Sequence, residues 1–78
     1  MWPEVTVRAR NQREVECLLA AFAEAGIACL IQPGFRVEAG GAQPAQILRA
    51  IRRCLTRNEM ESVDVSIDTG EYFLYRHE

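Results

Sequence analysis

The sequence predicts an α+β domain in which two helices cover one face of a single, mostly antiparallel sheet. Short stretches with alternating apolar and polar residues indicate strands, and two longer stretches with apolar residues at helical spacing indicate helices. Glycine, proline and asparagine separate these stretches. The chain has 78 residues, 49% of them hydrophobic and 26% charged, which suits one small domain spanning residues 1–78.

The first strand is followed directly by the first helix. Residues 4–10 (EVTVRAR) alternate as in a half-buried strand. Asn11 is a favourable helix N-cap, and Glu14 is placed to return a hydrogen bond to it in a capping box. Apolar residues then recur at helical spacing until Gly26, which suits the left-handed position after a helix. A helix is therefore predicted over residues 12–25.

The next two strands are predicted to form a hairpin over residues 27–39. Residues 27–32 (IACLIQ) are apolar without alternation, which indicates a strand that is central in the sheet or covered on both faces. Pro33 and Gly34 favour a turn, because proline presets φ and glycine tolerates positive φ. Residues 35–39 alternate again and complete the hairpin.

A second helix is predicted over residues 44–57, after a break at Gly40 and Gly41. Pro44 suits its first turn, and its apolar residues form one stripe. The opposite side, called the arginine face below, carries four arginines: Arg49, Arg52, Arg53 and Arg57. Such a face is typical of a solvated helix surface, or of a surface that docks on an acidic partner or a phosphate backbone.

A second hairpin is predicted at the C-terminus. Residues 62–68 (SVDVSID) alternate, and Thr69 and Gly70 favour a turn. With a two-residue loop there, Phe73 and Tyr75 project away from the helices. With a bulged three-residue loop the register flips and both rings point inward. The sequence leaves both registers open.

The resulting order, β-α-β-β-α-β-β, predicts a ferredoxin-like split arrangement with the last strand added at a sheet edge. The face away from the helices would carry polar side chains: Thr6, Arg8, Arg36, Glu38, Asp64 and Ser66. The last strand, residues 71–76, contains the apolar segment FLY and no lysine or proline to protect an edge. We therefore expect a symmetric homodimer, or contact with a protein partner, through this strand.

Charge is unevenly distributed along the chain, although the net charge is only −2. Residues 1–58 carry eight arginines and five glutamates, whereas residues 59–78 carry six acidic residues and one arginine. The acidic C-terminal part argues against nucleic acid on that surface, because phosphate would be repelled there.

Residues able to carry chemistry are few. The three cysteines lie in apolar stretches without CxxC spacing: Cys17, Cys29 and Cys54. This pattern favours buried free thiols and a reducing, cytoplasmic compartment.

The single histidine, His77, is penultimate and poorly placed for catalysis or metal binding. Asp64 and Asp68 lie about 13 Å apart along one strand, too far to share a metal ion. We expect no enzyme, no metal and no cofactor.

These features favour a small non-enzymatic protein-interaction module: a regulator, adaptor or inhibitor that docks on a larger protein. A sharper form is a phage-type, anti-CRISPR-like inhibitor, whose acidic C-terminal hairpin mimics phosphate in the basic channel of a nucleic-acid-binding defence complex. The candidate contacts of this hairpin are Asp64, Asp68, Glu71, Phe73 and Tyr75.

Two alternatives remain open at this point. One is a nucleic-acid-binding domain that uses the arginine face, although no aromatic residues interleave with the arginines there to stack on bases. The other is a small-molecule-sensing regulatory domain with its ligand between sheet and helices. No apolar run approaches the roughly 18–20 residues that span a bilayer, so no membrane partner is expected.

Overall fold

The computed structural model describes residues 2–57, 60–67 and 70–76, and all seven predicted elements are present. In chain order they are β1 (Val5–Arg8), α1 (Gln12–Ala25), β2 (Ala28–Gln32), β3 (Arg36–Gly40), α2 (Pro44–Thr56), β4 (Ser62–Ile67) and β5 (Gly70–Tyr75).

The five strands form one sheet in the order β2-β3-β1-β4-β5, and each neighbouring pair is antiparallel. The first four strands, β1 to β4, therefore have the predicted ferredoxin-like arrangement, and β5 is added outside β4. The α+β prediction is confirmed. The two edges of the sheet are β2 and β5, which lie on opposite sides of the domain.

The core lies between the sheet and the two helices. The largest fully buried side chains come from both layers: Phe22, Leu18, Ile47, Ile51, Leu55, Val5, Val7, Val15, Val37, Val65 and Cys54. Because α2 turns its predicted apolar stripe toward this core, its arginine face is exposed on the outer side of the helix layer. The opposite face of the sheet has no helix over it in the described part of the chain and is called the open face below.

α1 is bounded by the residues that capping chemistry predicts. The Asn11 side chain accepts a hydrogen bond from the backbone N–H of Glu14 (2.9 Å), and Gly26 ends the helix in the left-handed region. The second hydrogen bond of the expected capping box has a different donor, which lies one residue earlier in the chain. Glu14 Oε1 accepts from the backbone N–H of Arg10 (2.9 Å) rather than from Asn11. This carboxylate therefore fastens the end of the first strand segment to the start of the helix.

The predicted burial of β2 is wrong. We expected a central or fully covered strand, but β2 is an edge strand, with Leu30 and Ile31 exposed at 54% and 55%. In the split arrangement the hairpin places β3, not β2, beside β1, so within the described part of the chain β2 pairs with β3 alone. Cys29 is half-buried instead of buried.

The C-terminal hairpin has Phe73 and Tyr75 on the face expected for the two-residue loop, but its pairing is shifted by two residues from the one that a loop at Thr69 and Gly70 would give. Ile67 pairs with Gly70, whereas a loop at Thr69 and Gly70 would pair Ile67 with Tyr72. Because successive side chains alternate between the two faces, a shift of two residues leaves the strand faces as in the first alternative. Phe73 and Tyr75 project from the open face, away from the helices.

Candidate functional site

The centre of the open face is polar, as predicted. Cross-strand pairing places six side chains there: Thr6, Arg8, Arg36, Glu38, Asp64 and Ser66. Arg8 lies between Arg36 on β3 and Asp64 on β4, so one neighbour repels it and the other attracts it. The Arg36 Nε donates to the carbonyl oxygen of Pro33 (3.0 Å), which directs that charge toward the β2–β3 loop.

Aromatic side chains occupy the β5 edge of the same face. The rings of Phe73 and Tyr75 meet edge to face, with centroids 4.8 Å apart. Such a pair adds about 0.5–1.5 kcal/mol beyond the area it buries. Both rings nevertheless remain about half exposed, at 47% and 50%, and Tyr72 on the other side of β5 is 45% exposed. The edge strand therefore presents apolar surface on both of its sides.

Acidic residues adjoin these rings. Asp64 lies directly opposite Phe73, and Glu71 lies opposite Ser66 on the same face. Asp64 and Glu71 also line one small groove of about 40 Å³ together with Arg8. Its volume is close to that of one water molecule and far below that of a site for a small organic ligand. Asp68 and His77, also singled out in the sequence, lie outside the described residues.

Two arginines that the sequence did not single out hold the C-terminal hairpin in place. Arg10 Nη2 donates to both the carbonyl oxygen (2.8 Å) and the Oγ (2.7 Å) of Ser62. The Arg76 guanidinium donates to the carbonyl oxygen of Met60 from Nε (3.2 Å) and Nη2 (3.0 Å). Both contacts lie at the end of the hairpin where Ser62 pairs with Tyr75, and the Arg10 bonds tie this end to the segment that follows β1. Nothing in the sequence next to either arginine indicates which oxygen atom accepts its hydrogen bonds.

The arginine face is exposed but is not uniform. Arg57 Nη1 lies 3.4 Å from Glu24 Oε1 on α1, an exposed pair worth about 0–1 kcal/mol. Arg49 and Arg53 instead line an open cleft of about 310 Å³ beside Gly26 and Gly41. Of the arginines predicted for this face, Arg57 therefore contacts α1, whereas Arg49 and Arg53 line the cleft. It also lies on the opposite side of the molecule from the acidic part of the open face.

A tryptophan at the N-terminal end covers part of the open face. The Trp2 ring lies over Gly40, where a Cβ would overlap the ring. A glycine inside a strand is the sequence signal for such a close approach, but it does not say which residue approaches. Trp2 itself is 43% exposed, so it adds to the apolar surface of this face.

Among the described residues no cysteine is in a disulfide: Cys54 is buried, and Cys17 and Cys29 are half-buried. Burial raises the pKa of the Cys29 thiol, and the Cys54 Sγ donates to the carbonyl oxygen of Cys17 (3.4 Å). Within residues 2–57, 60–67 and 70–76, no cluster of three or more His, Cys, Asp or Glu side chains is placed to hold a metal ion. In the same part of the chain, no helix has both the length and the apolar composition to cross a membrane.

Comparison with known proteins gives no match to a family model, to a curated protein or to a solved structure.

Proposed function

We propose that this protein is a non-enzymatic protein-interaction module that binds a larger protein through its C-terminal hairpin. One observation carries the proposal: the edge strand β5 presents half-exposed aromatics beside the acidic side chains of Asp64 and Glu71. Aromatic residues are enriched in protein interfaces, and an unpaired strand edge is a template for an added strand.

The mode of binding follows from these features. A partner segment pairs with β5 and extends the sheet by one strand, so that main-chain hydrogen bonds supply affinity. Phe73 and Tyr75 fill apolar pockets on the partner. Asp64 and Glu71 select basic side chains, because opposite charges favour the encounter and like charges oppose it.

The sharper form of the proposal is an inhibitor of a nucleic-acid-binding complex, of the phage anti-CRISPR type. An acidic hairpin with adjoining aromatics resembles a nucleic-acid strand in charge and in stacking surface, so a basic channel is a suitable partner. A cytoplasmic location and the absence of catalysis belong to the same proposal. They rest on the cysteines, which form no disulfide among the described residues, and on the single histidine, which is penultimate in the sequence.

The test compares two surface variants of the protein. Each variant is first used as bait in a pull-down, and its affinity for the purified partner is then measured. Asp64→Lys with Phe73→Ala alters the hairpin, and Arg49→Glu with Arg53→Glu alters the opposite side of the molecule. We expect the hairpin variant to bind the purified partner at least about tenfold more weakly, which corresponds to about 1.4 kcal/mol, and the arginine variant to bind normally. Equal affinity of the hairpin variant and the wild type would contradict the proposal.

A nucleic-acid-binding function is the second candidate, because Arg49 and Arg53 are exposed along one cleft. It predicts binding to DNA or RNA that weakens steeply with salt and is lost in the arginine variant. The small-molecule alternative has less support, because fully buried side chains such as Leu18, Phe22 and Ile51 fill the space between sheet and helices.

A further inference from the structure

We propose that the protein forms a symmetric homodimer in which β2 pairs antiparallel with β2 of a second copy, joining two five-stranded sheets into one of ten strands. This surface lies at the opposite sheet edge from β5, so the inference does not rest on the proposed function.

The β2 edge lacks the features that usually keep an edge strand from pairing. Its sequence, ACLIQ over Ala28–Gln32, has no charged residue and no proline. Its pairing with β3 runs through five consecutive residues without a bulge. Leu30 and Ile31 project from opposite sides of the sheet, and both are more than half exposed. An edge of this kind is a template for another strand, and its apolar side chains favour removal from water.

The strand is complementary to itself. With a two-fold axis at Leu30, that residue lies opposite its own copy, and Cys29 lies opposite Ile31 of the second copy. Ala28 lies opposite Gln32 in the same register. Apolar contacts therefore form on both sides of the joined sheet, and no charged side chain of β2 is brought against a like charge. The same operation on β5 would bring two acidic hairpins together, which makes β2 the better edge for self-pairing.

The surroundings of β2 also fit a second copy. An open cleft of about 420 Å³ lies at the Gln32 end of the strand, between the start of α1 and the β2–β3 loop. Val15, Ile31 and Phe35 contribute its apolar lining, and Phe35 is 43% exposed. Because the strands are antiparallel, the segment that precedes β2 in the second copy runs beside this cleft. Dimerisation therefore covers exposed apolar surface beyond the strand itself.

The size of the contact sets the expected affinity. Five paired residues span about 17 Å, compared with molecular extents of 30 × 24 × 23 Å. Such a strip lies at or below the lower end of standard interfaces, which bury roughly 1,200–2,000 Å² in total. We therefore expect a reversible dimer with a dissociation constant in the micromolar range, on the order of 1–100 µM.

Sedimentation equilibrium of the full chain tests this directly. The wild type is expected to change with concentration from the 8.8 kDa of one chain toward twice that mass. Leu30→Lys places two ammonium groups face to face at the axis and should weaken the dimer at least about tenfold. Phe73→Lys is the matched control, because Phe73 has similar exposure on the same face of the other edge strand. It should dimerise as the wild type does. A wild type that remains monomeric at several hundred micromolar, or equal effects of the two lysines, would overturn the proposal.

Disulfide trapping tests the register without relying on a disruptive variant. In Leu30→Cys, the two introduced thiols lie across the axis within reach of a disulfide, so mild oxidation should give a covalent dimer much faster than in the wild type. In the wild type, Cys29 lies opposite Ile31 of the second copy and has no thiol across from it. Phe73→Cys is again the control. Trapping through Phe73→Cys but not through Leu30→Cys would place self-association on β5 and refute the β2 dimer. Loss of partner binding in Phe73 variants with the dimer intact separates this proposal from the proposed function.

Discussion

Replacing Ile51 by alanine tests the packing of α2 on the sheet. Ile51 is fully buried in the core, and the substitution removes three carbon atoms there. At about 0.8 kcal/mol for each buried methylene, the lost transfer free energy is about 2.4 kcal/mol. The cavity left behind increases this cost, whereas the higher helix propensity of alanine offsets a few tenths of a kcal/mol. We expect the free energy of unfolding to fall by about 3 kcal/mol.

Urea denaturation followed by circular dichroism measures this loss, and Arg49→Ala on the exposed side of the same helix is the control. The control should change the free energy of unfolding by no more than about 0.5 kcal/mol. For a domain of this size, a loss of about 3 kcal/mol lowers Tm by roughly 12–24 °C. If Ile51→Ala costs less than about 1 kcal/mol, the assignment of this helix face to the core is wrong.

Three further predictions concern the first helix cap, the Trp2 contact and the cysteines. Asn11→Ala should lower the free energy of unfolding by about 1 kcal/mol in the same assay, because a backbone N–H at the start of α1 loses its acceptor; no loss would mean that the cap does not contribute. Gly40→Ala should displace the ring of Trp2, the single tryptophan, and shift its fluorescence toward that of an exposed indole, whereas an unchanged spectrum would contradict the contact. The rate of alkylation of Cys29 should reach half of its maximum at a higher pH than that of an ordinary thiol, because burial raises its pKa and leaves less thiolate at neutral pH. Mass spectrometry of the peptide around Cys29 measures this rate, with the peptide around Cys17 compared in the same sample, and faster labelling of Cys29 at neutral pH would refute it.

The position of the helices could be predicted from local chemistry. Asn11, Gly26 and Pro44 each act within one turn of their own position, and the structure places them at the helix boundaries expected of them. The exposure of the arginine face follows from the same local rule, since residues opposite an apolar stripe face away from the core. The element order also predicted the split arrangement, which implies an edge position for β2, but the apolar run 27–32 pointed to a covered strand instead.

Burial of β2 could not be predicted in this way. The apolar run 27–32 is typical of a covered strand, and nothing within it tells which neighbour it will have. The position of β3 beside β1 leaves β2 at an edge, and that pairing joins residues distant in sequence. The exposure of Leu30 and Ile31, on which the proposed dimer depends, therefore became visible only in the assembled sheet.

The candidate surface was likewise predicted in part from the sequence and decided in part by the tertiary structure. Acidic and aromatic residues at the C-terminus were evident from the sequence, and so were the two possible faces of Phe73 and Tyr75. The tertiary structure decided between those faces through the pairing of β4 with β5, and it joined Arg10 to Ser62 across 52 positions of the chain. Propensity, capping and periodicity act between residues a few positions apart, so the sequence alone determined the elements and their order. Edge positions, strand register and long-range hydrogen bonds depend on which elements meet in space, and that was decided only when the whole sheet packed against its helices.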